Sequence, residues 1–196
     1  MSLVNPLDQL TLTSTVLSKE NWNDFTVLFG EKGACGGCWC MTPRLPIAEY
    51  NKSKGEVNKR LLYNLVLANE PLGVLAYHNK ESIAWCSISP KERLNQMKKS
   101  RIMGHTSEKD TWSIVCLFIK KEWRMKKVSS FIISKAVEYA FANGAEIVEA
   151  YPVVSRNNKM PDVFAWTGIW KSYEKAGFSV VKKLSETRLI VQIRRN

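Results

Sequence analysis

The most regular signal along the chain is the apolar run at residues 112–119. Trp112, Ile114, Cys116 and Phe118 alternate with Ser113, Val115, Leu117 and Ile119, which is the pattern of a strand buried on both faces. A basic turn follows. Phe131, Ile132, Ala136, Tyr139, Ala140 and Asn143 then recur at helical spacing, and Asn143-Gly144 supplies a stop, so a helix is expected over 131–143. A second strand is expected over 146–151. Strand, helix and strand with short connections make a βαβ-like unit whose helix starts beside the end of the first strand.

Upstream, residues 10–16 alternate as a first strand, and Ser18 is expected to cap a helix over about 20–29. A loop rich in Gly, Cys and Pro covers 30–46, and a second helix is expected over about 55–68. Residues 71–77 and 82–88 read as an antiparallel pair about the turn 78–81. Downstream, a short helix ends at Gly177 and two strands follow. The pattern contains no repeat, low-complexity tract or linker, so one domain of α/β (α+β) class is expected over residues 1–196.

The turn after the central strand carries candidate chemistry. The first N–H groups of a helix lack partners within it, the macrodipole is positive there, and Lys121, Arg124, Lys126 and Lys127 add charge. The expected guest is a phosphate. The net charge of +11 calls for an anionic partner in the same way. The cations cluster within 91–101, 120–127 and 182–195, but no zinc-finger spacing or aromatic ribonucleoprotein motif accompanies them, which argues against nucleic acid.

An apolar content of 45% with seven Trp is that of a globular protein. No apolar run nears the roughly twenty residues that span a bilayer, and residues 1–12 lack a charged-then-apolar leader pattern. A cytoplasmic protein without a membrane partner is expected.

The segment Arg124-Met125-Lys126-Lys127-Val128-Ser129 resembles the signature of the GNAT superfamily of N-acetyltransferases, Arg-x-x-Gly-x-Gly/Ala after an apolar strand. Lys127 and Ser129 stand where that family has small residues. Tyr173-Glu174-Lys175-Ala176-Gly177-Phe178 is similar to a second family segment, Tyr-x-x-x-Gly-Phe. The order of elements agrees along nearly the whole chain, including a Gly-Gly-Cys-Trp-Cys-Met loop found in a sparsely characterised subgroup.

The resemblance implies a mixed, mostly antiparallel sheet splayed between its fourth and fifth strands, with helices on both faces. It implies acetyl-CoA as co-substrate and an N-acetyltransferase acting on a primary amine, either a small molecule or a peptide. The backbone of Leu117, Phe118 and Ile119 would run along the pantetheine arm. Arg124, Met125, Lys126, Lys127, Val128 and Ser129 would hold the pyrophosphate, and Tyr173 would give a proton to the departing thiolate. Direct transfer is expected, with Glu149 or Glu146 as candidate base, or a water chain in their place. Trp39, Cys40, Arg44 and Trp166 are expected to line the acceptor pocket, and a homodimer is open.

Two other readings compete. With Lys127 in the phosphate turn, the same fold can serve as a non-catalytic module for another anion or a protein, and the basic clusters allow a nucleic-acid binder. The spacing of Cys35, Cys38 and Cys40 can offer three thiolates to zinc or an iron–sulfur site, with His78, His105 or another cysteine as fourth ligand. No second Cys-x-x-Cys pair is present, and no metal is expected. The same thiols allow a covalent acetyl-enzyme route, which needs an activating base that the sequence does not show. The insertion over 151–168, with Pro152, Pro161, Phe164 and Trp166, reads as an ordered flap.

Overall fold

The computed structural model describes residues 11–98, 108–155 and 166–195. His105, Pro161 and Phe164 lie outside the described residues. One sheet of seven strands runs in the order β1-β2-β3-β4-β5-β7-β6, with β1 at Leu12–Val16, β2 at Gly73–His78, β3 at Glu81–Pro90, β4 at Thr111–Ile119, β5 at Ile147–Ala150, β6 at Ser179–Ser185 and β7 at Arg188–Arg194. Every neighbouring pair is antiparallel except β4 with β5. The β2–β3 hairpin closes through Asn79 and Lys80, both left-handed, as the twist of a two-residue turn demands.

Helices cover both faces: α1 (Trp22–Phe29), α2 (Ile47–Lys52), α3 (Glu56–Leu67), α4 (Asn95–Lys98), α5 (Val128–Ala142) and α6 (Trp170–Lys175). On one face Val74, Ala76, Ala84, Cys86, Ile88 and Ile114 pack with Val128, Ile132, Ile133 and Ala136 of α5. On the other, Leu75, Tyr77 and Trp85 pack with Phe25, Leu28 and Phe29 of α1 and with Leu62 and Val66 of α3.

The expected elements are present with shifted edges. Ser18 does not cap α1. Its N–H donates to Asn21 Oδ1 at 2.8 Å, while Asn21 Nδ2 reaches back to Val16 O at 2.8 Å, so Asn21 ties the strand exit to a helix that starts at Trp22. Helix α5 begins at Val128, three residues before the apolar period becomes legible at Phe131. Helix α2 was not expected because it buries no residue and therefore leaves no apolar period.

The sheet splays as the resemblance implied. Register along β3–β4 jumps from Ile114↔Ile88 to Cys116↔Ser87, leaving Val115 as the extra residue of a β-bulge. Pairing of β4 with β5 ends at Ile114↔Ala150, one residue before that bulge. Beyond it β4 stays with β3 as far as Ile119, so a wedge opens between β4 and the chain that leaves β5. Residues 116–119 are only half-buried there, unlike the sealed first half of the strand.

Candidate active site

The basic turn expected to receive a phosphate leads directly into helix α5. Helix α5 starts directly after Lys127, whose backbone is left-handed at φ 62° and ψ 4°. A glycine enters that conformation freely; a residue with a Cβ does so at a cost of about 1 kcal/mol. Lys127 therefore adopts the geometry for which the family uses glycine. Met125 is left-handed as well, at φ 60°, and its side chain is 90% exposed. The Lys127 side chain makes no cap hydrogen bond at the start of the 15-residue α5, where the first N–H groups point out of the helix toward any anion. The cations are placed around this start. Arg124 Nε donates to Ile119 O at 3.2 Å, and Lys126 Nζ stands 5.0 Å from the centre of the Trp123 ring. Ser129 Oγ meets Ser172 Oγ at 2.8 Å and links the start of α5 to α6. Val128 is buried and serves the core.

Leu117 and Ile119 point to the α5 face, whereas Phe118 points to the other and meets Phe29 at 5.5 Å between ring centres. The Leu117 N–H does not pair across the sheet. It donates to Trp166 O at 2.8 Å. Residues 166–168 form a strap across the wedge, because on its other side Val153 N–H donates to Gly168 O at 3.0 Å and Trp170 N–H to Val153 O at 2.9 Å. Arg188 Nη1 holds the strap from below through Thr167 Oγ1 at 2.8 Å and Tyr151 O at 2.9 Å.

Tyr173 is fully buried under this strap, its phenol donating to Thr167 O at 2.9 Å. Burial, with the nearby Cys86 and Cys116 thiols adding to it, pushes the phenol well above its ordinary pKa, so it is a protonated donor at every physiological pH. Gly168 makes the close contact possible. A Cβ there would sit 2.7 Å from Tyr173 Cε2, and its φ of +84° is one that side chains rarely adopt. Gly177 ends α6, where Phe178 N–H reaches Tyr173 O at 3.1 Å and the two rings meet edge to face.

Both base candidates are found in ion pairs. Glu149 is fully buried and committed: Oε1 takes Lys91 Nζ at 2.7 Å and the Tyr151 hydroxyl, and Oε2 takes Gln192 Nε2 at 2.9 Å. A buried carboxylate so bonded is expensive to strip of its partners. Glu146 sits at the far end of β5 from the wedge, four residues or about 13 Å away along a strand, and pairs with Arg195.

The acceptor-pocket candidates divide. Trp39 is core rather than pocket wall: it is 3% exposed, stacks on Phe29 at 5.6 Å, and lies against Gly33, where a Cβ would come within 2.3 Å of its indole nitrogen. Cys40 is equally buried, and its sulfur accepts from Trp85 Nε1 at 3.0 Å. Its thiol is held well above the usual range, first by a hydrogen bond with Cys116 and then by burial. Arg44 and Trp166 remain partly accessible. The three loop thiols do not converge: Cys35 is exposed, Cys38 donates to Gly33 O at 3.6 Å, and Cys40 turns to Trp85. No metal-holding group of three or more ligating side chains occurs among the described residues.

Sequence reasoning missed a row of polar residues that runs straight across four strands. Ser89↔Ser113, Ser113↔Glu149 and Glu149↔Gln192 are cross-strand partners, and all four are buried. The signal was Ser87, Ser89 and Ser113, recurring on alternate positions of otherwise apolar strands.

With this geometry in view, the profile of the Acetyltransferase (GNAT) family matches residues 39–178. The chain belongs to the GNAT acetyltransferase family. Similar folds include the PaiA N-acetyltransferase from Thermoplasma acidophilum in complex with coenzyme A, at 16% identity and TM-score 0.53 over 94% of this chain and 99% of that one. An N-acetyltransferase from Staphylococcus aureus Mu50 aligns at 11% identity and TM-score 0.53, over 94% of this chain and 98% of its own. YncA from Salmonella typhimurium, solved with its cofactor acetyl-CoA, aligns at 13% identity and TM-score 0.53 over 93% of each chain. At such identities the likeness is one of GNAT fold. No curated protein matches by sequence.

Proposed function

We propose that this GNAT protein is an N-acetyltransferase that moves the acetyl group of acetyl-CoA directly to a primary amine. The observation that supports it most is the left-handed Lys127 before the uncapped start of α5, which keeps the family's phosphate turn without its glycine. The thioester supplies an acetyl group whose C–S bond breaks as the N–C bond forms. The α5 N–H groups, with Arg124, Lys126 and Lys127, hold the pyrophosphate. Leu117 offers its N–H to the arm once the Trp166 carbonyl is released, and Tyr173 gives its proton to the departing sulfur once freed from Thr167. The amine proton leaves to water, since Glu149 is committed to Lys91, Tyr151 and Gln192.

A second reading, a non-catalytic module of the same fold, draws on the strap, because both groups that would act on a thioester are already bonded to its carbonyls. Titration calorimetry with acetyl-CoA, using dephospho-CoA as control, separates the two. Micromolar binding that weakens in a Lys126/Lys127 double variant, followed by turnover with an amine, supports the enzyme. Binding without turnover across an amine panel supports the module, and no binding refutes both the cofactor and the enzyme.

A further inference from the structure

On the face of the sheet opposite α5, the polar row ends at a cation that has no counter-ion among the described residues. Arg44 Nη2 donates to Ser89 Oγ at 2.6 Å, and Ser89 Oγ in turn donates to Pro71 O at 2.6 Å. Arg44 Nε is buried without an acceptor. Among the described residues no carboxylate pairs with this guanidinium. The charged neighbours felt at Arg44 are Arg93, itself paired with Glu70, and the Cys40 thiol. A burial that desolvates the group lowers its pKa to about 10, yet it stays charged at neutral pH. A partly buried cation without a counter-ion forfeits part of its hydration without compensation.

The position of this cation relates it to the chemistry. Ser89 lies three residues along β3 from Cys86, the partner of Leu117, so the hydroxyl that holds Arg44 stands about 10 Å along the strand from Leu117. A second observation agrees: both Cys116 and Arg44 act electrostatically on the buried Cys40. Tyr173 and α5 lie on the other face of the sheet. An acceptor approaching the wedge opposite the coenzyme side thus meets a positive charge about three residues along β3 from the level of Leu117.

We infer that the acceptor carries a carboxylate close to its amine, as a free amino acid does, and that Arg44, held by Ser89, is the residue that binds it. This rests on the acetyltransferase reading above. A carboxylate fits better than a phosphate because one guanidinium neutralises one charge, and the described cations closest in the row and loop, Lys91 and Arg93, are already paired with Glu149 and Glu70. The planar fork of Arg44 suits a carboxylate, and pairing would supply the charge compensation that this side chain lacks in the fold.

The test compares each of several amino acids with its own amide and its decarboxylated amine, by rate of free coenzyme A release. In the native protein kcat/KM is expected to favour the acid roughly ten- to hundredfold, the worth of a charge-assisted contact. In Arg44→Gln that preference falls to about one through a rise in KM for the acids, while the calorimetric Kd for acetyl-CoA stays the same. Equal use of acid and amide by the native protein overturns the inference while leaving the acetyltransferase reading intact, and it needs no variant to fold. A loss in Arg44→Gln shared equally by acids and amides assigns Arg44 a structural role and also overturns it. Absence of acetyl-CoA binding removes the reading on which it rests.

Discussion

The phenol of Tyr173 donates to the carbonyl of Thr167 at 2.9 Å, and the carbonyl of the residue before, Trp166, takes the N–H of Leu117 at 2.8 Å. Two successive peptide carbonyls thus occupy the two donors proposed above to act on an acyl thioester. The strap holds the site in a satisfied state: without it, a buried hydroxyl and a strand N–H would face the wedge with no partner.

If the strap yields to the coenzyme, binding has an internal step. In stopped-flow tryptophan fluorescence, the observed rate for acetyl-CoA should level off at high concentration, at the rate of strap release, with Trp166→Phe losing part of the signal. A rate that stays linear in concentration would show that the strap is not displaced.

Removing the phenol tests the acid. Tyr173→Phe should fold, at a cost of about 1–2 kcal/mol for the stranded Thr167 carbonyl. It should lower kcat by about a hundredfold while the Kd for acetyl-CoA is unchanged. Unchanged turnover in a folded variant would take the acid role from Tyr173.

Lys127 offers a test of backbone strain apart from charge. Both Lys127→Gly and Lys127→Ala lose the ammonium, but only glycine relaxes the left-handed φ of 62°. The glycine variant should be the more stable of the two by about 1 kcal/mol in urea unfolding. Equal stabilities would mean that the turn does not hold that conformation in solution.

Glu149 should matter for folding. Glu149→Ala leaves Lys91, Tyr151 and Gln192 facing an unfilled site and should cost about 3 kcal/mol, the scale for breaking a buried ion pair. The double variant Lys91→Met/Glu149→Gln should recover part of that loss, since no charge is then stranded. A fall in kcat in Glu149→Gln at unchanged stability would instead return Glu149 to the chemistry.

The cysteine loop gives a pH-dependent outcome. Burial pushes the Cys38 thiol up to about 11, and Cys40 and Cys86 are raised too. A raised thiol pKa lowers the thiolate fraction at any pH below it, so alkylation of Cys38 should increase about tenfold per pH unit through pH 8–10. Mass spectrometry after iodoacetamide should find Cys35, the exposed thiol, labelled first, and Cys40 and Cys86 only with denaturant. Rapid native labelling of Cys40 would reopen the covalent route.

Much of the fold was legible because burial writes a period into sequence. The β4 run, the helical spacing after it and the Gly177-Phe178 stop all record which side of an element faces the core, and each element occurs within a few residues of its expected place. Helix α2 left no such record, since an exposed helix has no apolar stripe. The loop residues Trp39 and Cys40 were read as pocket walls because Gly and Cys in a loop carry no period. Their burial against Phe29, Gly33 and Trp85 comes from contacts distant in sequence.

By itself the sequence determined the order of elements, the basic turn before α5 and the family, because those depend on local spacing, helix-start chemistry and short motifs. Only the tertiary structure decided which groups are free to act. The commitment of Glu149 to Lys91, the capture of Tyr173 by Thr167 and the missing counter-ion of Arg44 each join residues from separate elements. A hydrogen bond or an ion pair acts over a few ångströms of space, whatever the number of residues between its partners, and that distance is set only when the sheet and its helices close on one another.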